Sequence, residues 1–118
     1  MSKILVVDDD RDILQLVKTI LTMNNFVVEA LSRWEEINYA VISFKPDLIL
    51  LDVSLNGADG RDICKNMRQS KETEFTPVIL FSANAEMGNF IQDCHAQAFI
   101  AKPFELTNLV QTIISYAN

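Results

Sequence analysis

Four short apolar runs in this 118-residue chain each lead into a residue able to do polar chemistry. Ile4–Val7 runs into Asp8 and Asp9, Leu48–Leu51 into Asp52, Val78–Phe81 into Ser82, and Ala98–Ala101 into Lys102. If the runs lie side by side, three carboxylates share one edge with a hydroxyl and an ammonium group. Carboxylates within about 5 Å of each other repel by roughly 3 kcal/mol per pair at an effective dielectric of about 20, so something positive must sit among them. The candidate ligands are all oxygens and no His or Cys adjoins these run ends, which favours a hard divalent cation over zinc. Mg2+ typically takes one or two carboxylates and keeps several waters. A metal held by acids, with one carboxylate facing a lysine, suits phosphoryl transfer to an aspartate. The cation and Lys102 would neutralise the phosphoryl oxygens, with Asp52 as in-line nucleophile. Ser82, taken alone, reads equally as a turn residue and as a donor to a phosphoryl group.

These groups converge only if the intervening segments form a particular sheet. Short continuous apolar runs suit strands covered on both faces, as in a parallel sheet flanked by helices, and ligands bind at the carboxyl edge of such sheets. From Arg11, the spacing of Ile13, Leu16, Val17, Ile20 and Leu21 predicts a helix, with Asp10 as its N-cap and Asn24-Asn25 able to adopt a left-handed C-cap. Phe26–Ala30 reads as a strand, and Ser32 with Glu35 has capping-box spacing before a helix buried through Ile37, Ala40, Val41 and Phe44. Asn56, Gly57, Asp59 and Gly60 make a loop by composition, Asp59 being a turn or cap residue. Ile63 and Met67 mark a third helix to about Gln69, and Ser70–Thr76 is a polar surface connection. Met87, Phe90, Ile91 and Cys94 give a fourth helix weakened by Gly88, and Leu106, Leu109, Val110, Ile113 and Ile114 line a fifth. Five strands alternating with five helices through right-handed crossovers give an α/β fold with helices on both faces. Residues 1–118 are expected to form one domain, with no linker or repeat.

Charge narrows the function further. Ten Lys and Arg face 16 Asp and Glu, a formal net charge of −6, which repels phosphate backbones and argues against direct nucleic-acid binding. Cys64 and Cys94 lack metal-ligand spacing and read as reduced, partly buried thiols in a cytoplasmic protein. The start, MSKILVVDDD, turns acidic after four apolar residues, so it is no signal peptide, and no run approaches a membrane span. His95 reads as a surface residue near a helix end, and Trp34 and Tyr116 as packing or surface residues.

ILVVDDD, LILLDVSLNGADG, VILFSA and AFIAKPF, in this order and at these spacings, resemble the receiver domain of two-component response regulators. The resemblance runs from Met1 to Asn118 and implies a flavodoxin-like (βα)5 fold with strand order 2-1-3-4-5. It implies Asp52 as phosphoacceptor and a Mg2+ site formed by Asp9, Asp52 and the backbone carbonyl of Ser54, with Asp8 acting on the metal's water shell. Ser82 and Phe99 would be switch residues, Lys102 would meet the phosphoryl group, and Pro103 belongs to the lysine-proline signature. The implied partners are a histidine kinase or phosphotransfer protein and a downstream protein whose binding changes. Such a domain is a signalling module, not a turnover enzyme. Leu55-Asn56 stands where the family usually has Met-Pro, implying a less rigid loop. Ala98 replaces a common glycine, and Ser54 and Asn84 occupy positions that tune phosphoryl lifetime. Two other functions compete with this one: a Mg2+-dependent phosphatase working through an aspartyl phosphate, and a constitutive interaction domain. The phosphatases resembling haloacid dehalogenases carry an acid where this chain has Ser54.

Overall fold

The computed structural model describes residues 2–83 and 94–117. In chain order these form β1 (Lys3–Val7), α1 (Arg11–Met23), β2 (Val27–Leu31), a 3₁₀ turn (Trp34–Glu36), α2 (Ile37–Phe44) and β3 (Leu48–Asp52). A small pair, β4 (Ser54–Leu55) and β5 (Ala58–Asp59), precedes α3 (Gly60–Met67), β6 (Val78–Ser82), β7 (Ala98–Ala101) and α4 (Leu106–Tyr116). The main sheet is parallel throughout, with order β2-β1-β3-β6-β7. Counting its own strands alone, that is the expected 2-1-3-4-5 order. The expected helix through Met87, Phe90 and Ile91, together with Asn84, lies outside the described residues.

The unbroken apolar runs have a direct cause: every residue of β3 and β6 is buried, because each strand feeds two cores. Ile4, Val6, Leu48, Leu50, Ile79 and Phe81 pack against α1 and α4, whereas Leu5, Val7, Ile49, Leu51, Val78 and Leu80 pack against α2 and α3. A strand alternates its side chains between faces, so covering both faces requires hydrophobicity at every position.

Four local expectations are corrected. On α1 the buried stripe is Leu14, Val17 and Leu21, while Leu16 is exposed. Helical spacing admits two overlapping stripes here, and the sheet selects the one centred on Val17. Ser32 caps nothing: a 3₁₀ turn intervenes with Arg33 at its cap and no side-chain bond, and it lays Trp34 against the core before α2 begins. The loop after Asp52 is a paired hairpin, with Ser54 opposite Asp59 and Leu55 opposite Ala58. Gly57 at φ 83° supplies the positive φ that the turn requires, and buried Leu55 anchors its first arm. The 70–76 connection is not wholly superficial, because Thr73 is buried and its hydroxyl donates to the Met67 carbonyl at 2.6 Å.

Two capping expectations agree with the structure: Asp10 accepts from the Asp12 and Ile13 N–H groups, and Asn25 is left-handed at φ 70°. Among the described residues no helix is long and apolar enough to cross a membrane.

At the amino edge of the sheet Arg68 acts as a clamp. Its guanidinium donates to the carbonyls of Thr73 (3.0 Å), Thr76 (2.7 Å) and His95 (3.0 Å) and to Gln97 Oε1 (3.1 Å). Gln97 Oε1 also accepts the Val78 N–H at 2.7 Å, so one side chain ties the end of α3 to the approaches of β6 and β7. Arg68→Ala is expected to lower stability by about 2–3 kcal/mol, read by urea unfolding, because it strands several carbonyls at once. Arg68→Lys should recover less than half of that loss, since an ammonium group cannot fork in the same way.

Candidate functional site

Because the strands are parallel, β1, β3, β6 and β7 all finish at the same edge, and their register decides which end residues meet. Val7 pairs with Leu51, placing Asp8 beside Asp52, and Ser82 pairs with Ala101, placing Lys102 just beyond. Asp8, Asp9 and Asp52 each bring a carboxylate oxygen within 4.8 Å of the others. Asp8 and Asp52 are buried and Asp9 is exposed, so the cluster opens to solvent on the Asp9 side.

Hydrogen bonds fix the orientation of the two buried acids. Asp8 Oδ1 accepts the Asp10 N–H at 2.9 Å, and Asp8 Oδ2 accepts from Lys102 Nζ at 2.8 Å. Asp52 Oδ1 accepts the Ser54 N–H at 3.2 Å, and Asp52 Oδ2 lies 3.5 Å from Lys102 Nζ. One ammonium group therefore serves two carboxylates. The balance leaves Asp52 pushed up to about 7, first by burial and then by the negative charge of Asp8, with Lys102 opposing. A hydrogen bond with Asp8 pushes the same way, and the Ser54 N–H pulls back. The donor set is three carboxylates with no nitrogen or sulfur ligand, and its negative charge exceeds what Lys102 supplies. That chemistry fits a hard divalent cation such as Mg2+.

Lys102 is itself held from two directions. Its backbone N–H donates to the Ser82 carbonyl at 2.7 Å, and its Nζ stands 4.5 Å from the centroid of the Phe81 ring. Phe81 in turn meets Phe104 edge-on at 6.3 Å between centroids. The ring face stabilises the partly desolvated ammonium group. Sequence reading passed over Phe81; the only signal was an aromatic residue directly before Ser82.

The other predicted residues are placed as follows. Ser82 is buried at the end of β6. Ser54 is exposed and opens β4 immediately past the cluster. Pro103 is exposed, and the Lys102–Pro103 peptide is cis. Phe99 is half-buried in β7 opposite Leu80, two pairs short of the Ser82–Ala101 pair, and packs against the α2–α3 core instead of joining the carboxylates. Asp10 caps α1 and Asp59 caps α3, each bonding nearby backbone N–H groups. Cys64 and Cys94 are fully buried, not partly: the Cys64 thiol donates to the Cys94 carbonyl at 3.1 Å. Burial and the neighbouring Cys94 push the Cys64 thiol up to about 12, the protonated form of an unreactive structural cysteine.

A pH dependence follows from Asp52. Its folded value of about 7 exceeds the unfolded 3.8, so between these values the native state binds more protons than the unfolded chain. Metal-free stability is therefore expected to fall as pH rises from 5 to 8, by on the order of 2–4 kcal/mol in urea unfolding with a chelator. Asp52→Asn should flatten this slope, whereas a wild-type stability that rises over the window contradicts the assignment.

Comparison with known proteins gives a consistent picture. A family model described as "Response regulator receiver domain" matches residues 4–114. The transcriptional regulatory protein ResD of Bacillus subtilis is 33% identical over 111 residues, covering 92% of this chain and 45% of ResD. The nisin biosynthesis regulatory protein NisR of Lactococcus lactis is 37% identical over 114 residues, covering 94% of this chain and 48% of NisR. The chain thus spans about half the length of the curated relatives it matches. Among solved structures, the response regulator TrrA of Thermotoga maritima, in complex with Mg(2+)-BeF, superposes with a TM-score of 0.88 at 25% identity, covering 98% of this chain and 99% of TrrA.

Proposed function

Because the chain belongs to the response regulator receiver domain family, we propose that it is a phosphorylation-switched signalling domain in which Asp52 is the phosphoacceptor. The observation that carries this reading is the gathering of Asp8, Asp9, Asp52 and Lys102 at one sheet edge. Asp9, Asp52 and the Ser54 carbonyl would hold Mg2+, with Asp8 acting on its water shell, as the oxygen-only donor set and the Mg(2+)-BeF complex of TrrA support. When bound, Mg2+ supplies positive charge that screens the carboxylates from one another and from an incoming phosphoryl group.

The remaining chemistry belongs to the chain. An Asp52 carboxylate oxygen attacks phosphorus in line, the bond from phosphorus to the donor nitrogen of a phosphohistidine breaks, and the imidazole leaves with that electron pair. Only the ionised carboxylate is a nucleophile, so the positive charge that lowers Asp52 from about 7 also activates it. Lys102, already 3.5 Å from Asp52 Oδ2, neutralises phosphoryl oxygens as they arrive. Ser82 at the neighbouring strand end supplies a hydroxyl donor, and Phe99 further down β7 carries the change towards the surface.

The phosphoryl group then shifts the conformational balance only through contacts that differ between the two states. The donor is a histidine kinase or phosphotransfer protein, and the output is altered binding of a downstream protein. We read residues 1–118 as a single receiver domain of the cytoplasm that takes part in its own phosphorylation and dephosphorylation but turns over no other substrate. The net charge of −6 supports a protein partner over nucleic acid for these residues.

Incubation with Mg2+ and acetyl phosphate, followed by intact-mass measurement, is expected to show a single added phosphoryl group that Asp52→Ala abolishes. No addition to the wild type, or addition that persists in the variant, contradicts the reading. Lys102→Met should slow the reaction by roughly tenfold or more, since it removes a positive charge acting on the phosphoryl oxygens.

A further inference from the structure

We propose that Gly60 is a positioning residue for Asp52: the bare backbone at the start of α3 lies against the Asp52–Val53 peptide and sets where the Asp52 carboxylate stands. The inference rests on Asp52 being the reacting carboxylate. It arises from a backbone contact with a residue eight positions downstream, which composition alone reads only as part of a loop.

A Cβ placed on Gly60 would lie 2.2 Å from the Asp52 carbonyl oxygen, 2.9 Å from Val53 Cα and 3.0 Å from the Asp52 carbonyl carbon. All three are backbone atoms, so no side chain can rotate aside. The two glycines of this loop answer different needs. Gly57 has a φ of +83° with nothing within 4 Å of its added Cβ, so it serves backbone conformation, whereas Gly60 serves close approach.

The elements on either side of that contact are both anchored. Gly60 N–H donates to the Val53 carbonyl at 2.7 Å, and Val53 N–H donates to the Phe81 carbonyl at 3.0 Å. Asp52 itself pairs with Phe81. Across the contact, Asp59 caps α3 and is gripped by Arg61 at 2.6 Å, while Cys64 and Met67 seat the helix in the core. A methyl group at residue 60 must therefore displace the Asp52–Val53 peptide, the helix, or both. Displacing the peptide carries Asp52 away from Asp8 and Lys102, and misplacement by about 1 Å can cost on the order of 100-fold in rate.

The test compares the wild-type chain with Gly60→Ala and Gly57→Ala in three measurements. These are Mg2+ affinity by calorimetry, initial phosphorylation rate with acetyl phosphate at saturating Mg2+ per folded molecule, and metal-free amide shifts of Val53 and Ser54. Gly60→Ala is expected to lose at least tenfold in both affinity and rate and to shift both amides. Gly57→Ala should lose stability alone. A folded Gly60→Ala with wild-type affinity and amide shifts confined to α3 overturns the proposal. If Gly60→Ala does not fold, Gly57→Ala decides: unchanged affinity per folded molecule supports a site-specific contact, and a tenfold loss there overturns it, since any disturbance of the loop would then suffice. A wild type that accepts no phosphoryl group defeats the functional reading, and the Mg2+ affinities and amide shifts still judge Gly60.

Discussion

The mutual repulsion of Asp8, Asp9 and Asp52, offset by a single ammonium group, is the constraint around which the molecule is arranged. Like charges do not gather unaided, and two of these carboxylates are also withdrawn from water. They are held together because they terminate adjacent strands whose preceding residues are fully buried on both faces. Moving Asp8 away from Asp52 means slipping β1 against β3, and a one-residue slip would exchange every core side chain between the two layers. Hydrophobic burial in the sheet thus enforces an electrostatically unfavourable edge, and that edge attracts cations.

Lys102 relieves part of the strain while leaving the site responsive. Its position depends on β7 lying in register with β6, and the two strands are tied at both ends. The Lys102 N–H on the Ser82 carbonyl closes the carboxyl end. Arg68 and Gln97 gather the approaches at the amino end. Phe81 sits between these ties, filling the α1–α4 core while presenting its ring to Lys102 Nζ. The same strand therefore serves packing, pairing and charge.

The strands and the polar residues gathered at their ends were legible in the sequence for one shared reason. A strand buried on both faces must be apolar at every position, so the polar residue that ends it stands out, and Asp52 after Leu48–Leu51 is the clearest example. Contacts that no strand pattern brings into line were not legible. Nothing in the sequence singles out Arg68, Thr73 reads as one more polar residue of the 70–76 connection, and Gly60 as loop composition. Each acquires its role from a segment distant in sequence or from a close backbone approach. The hairpin after Asp52 was partly legible, since Asn56-Gly57 is a turn dipeptide, but reading it as loop composition hid the Leu55–Ala58 pairing. Leu55, which stands where the family usually has Met, is buried and pairs with Ala58. On α1, periodicity found the helix but chose Leu16 over Leu14, because overlapping stripes are equivalent until a sheet selects one.

The central claim is that Asp52 sits in a carboxylate cluster short of positive charge, and carbon-13 NMR titration of its carboxyl group measures this directly, with and without Mg2+. The account predicts a metal-free midpoint of about 7 that moves downward when Mg2+ is added. A metal-free midpoint in the ordinary carboxylate range, or one that Mg2+ leaves unmoved, would contradict it.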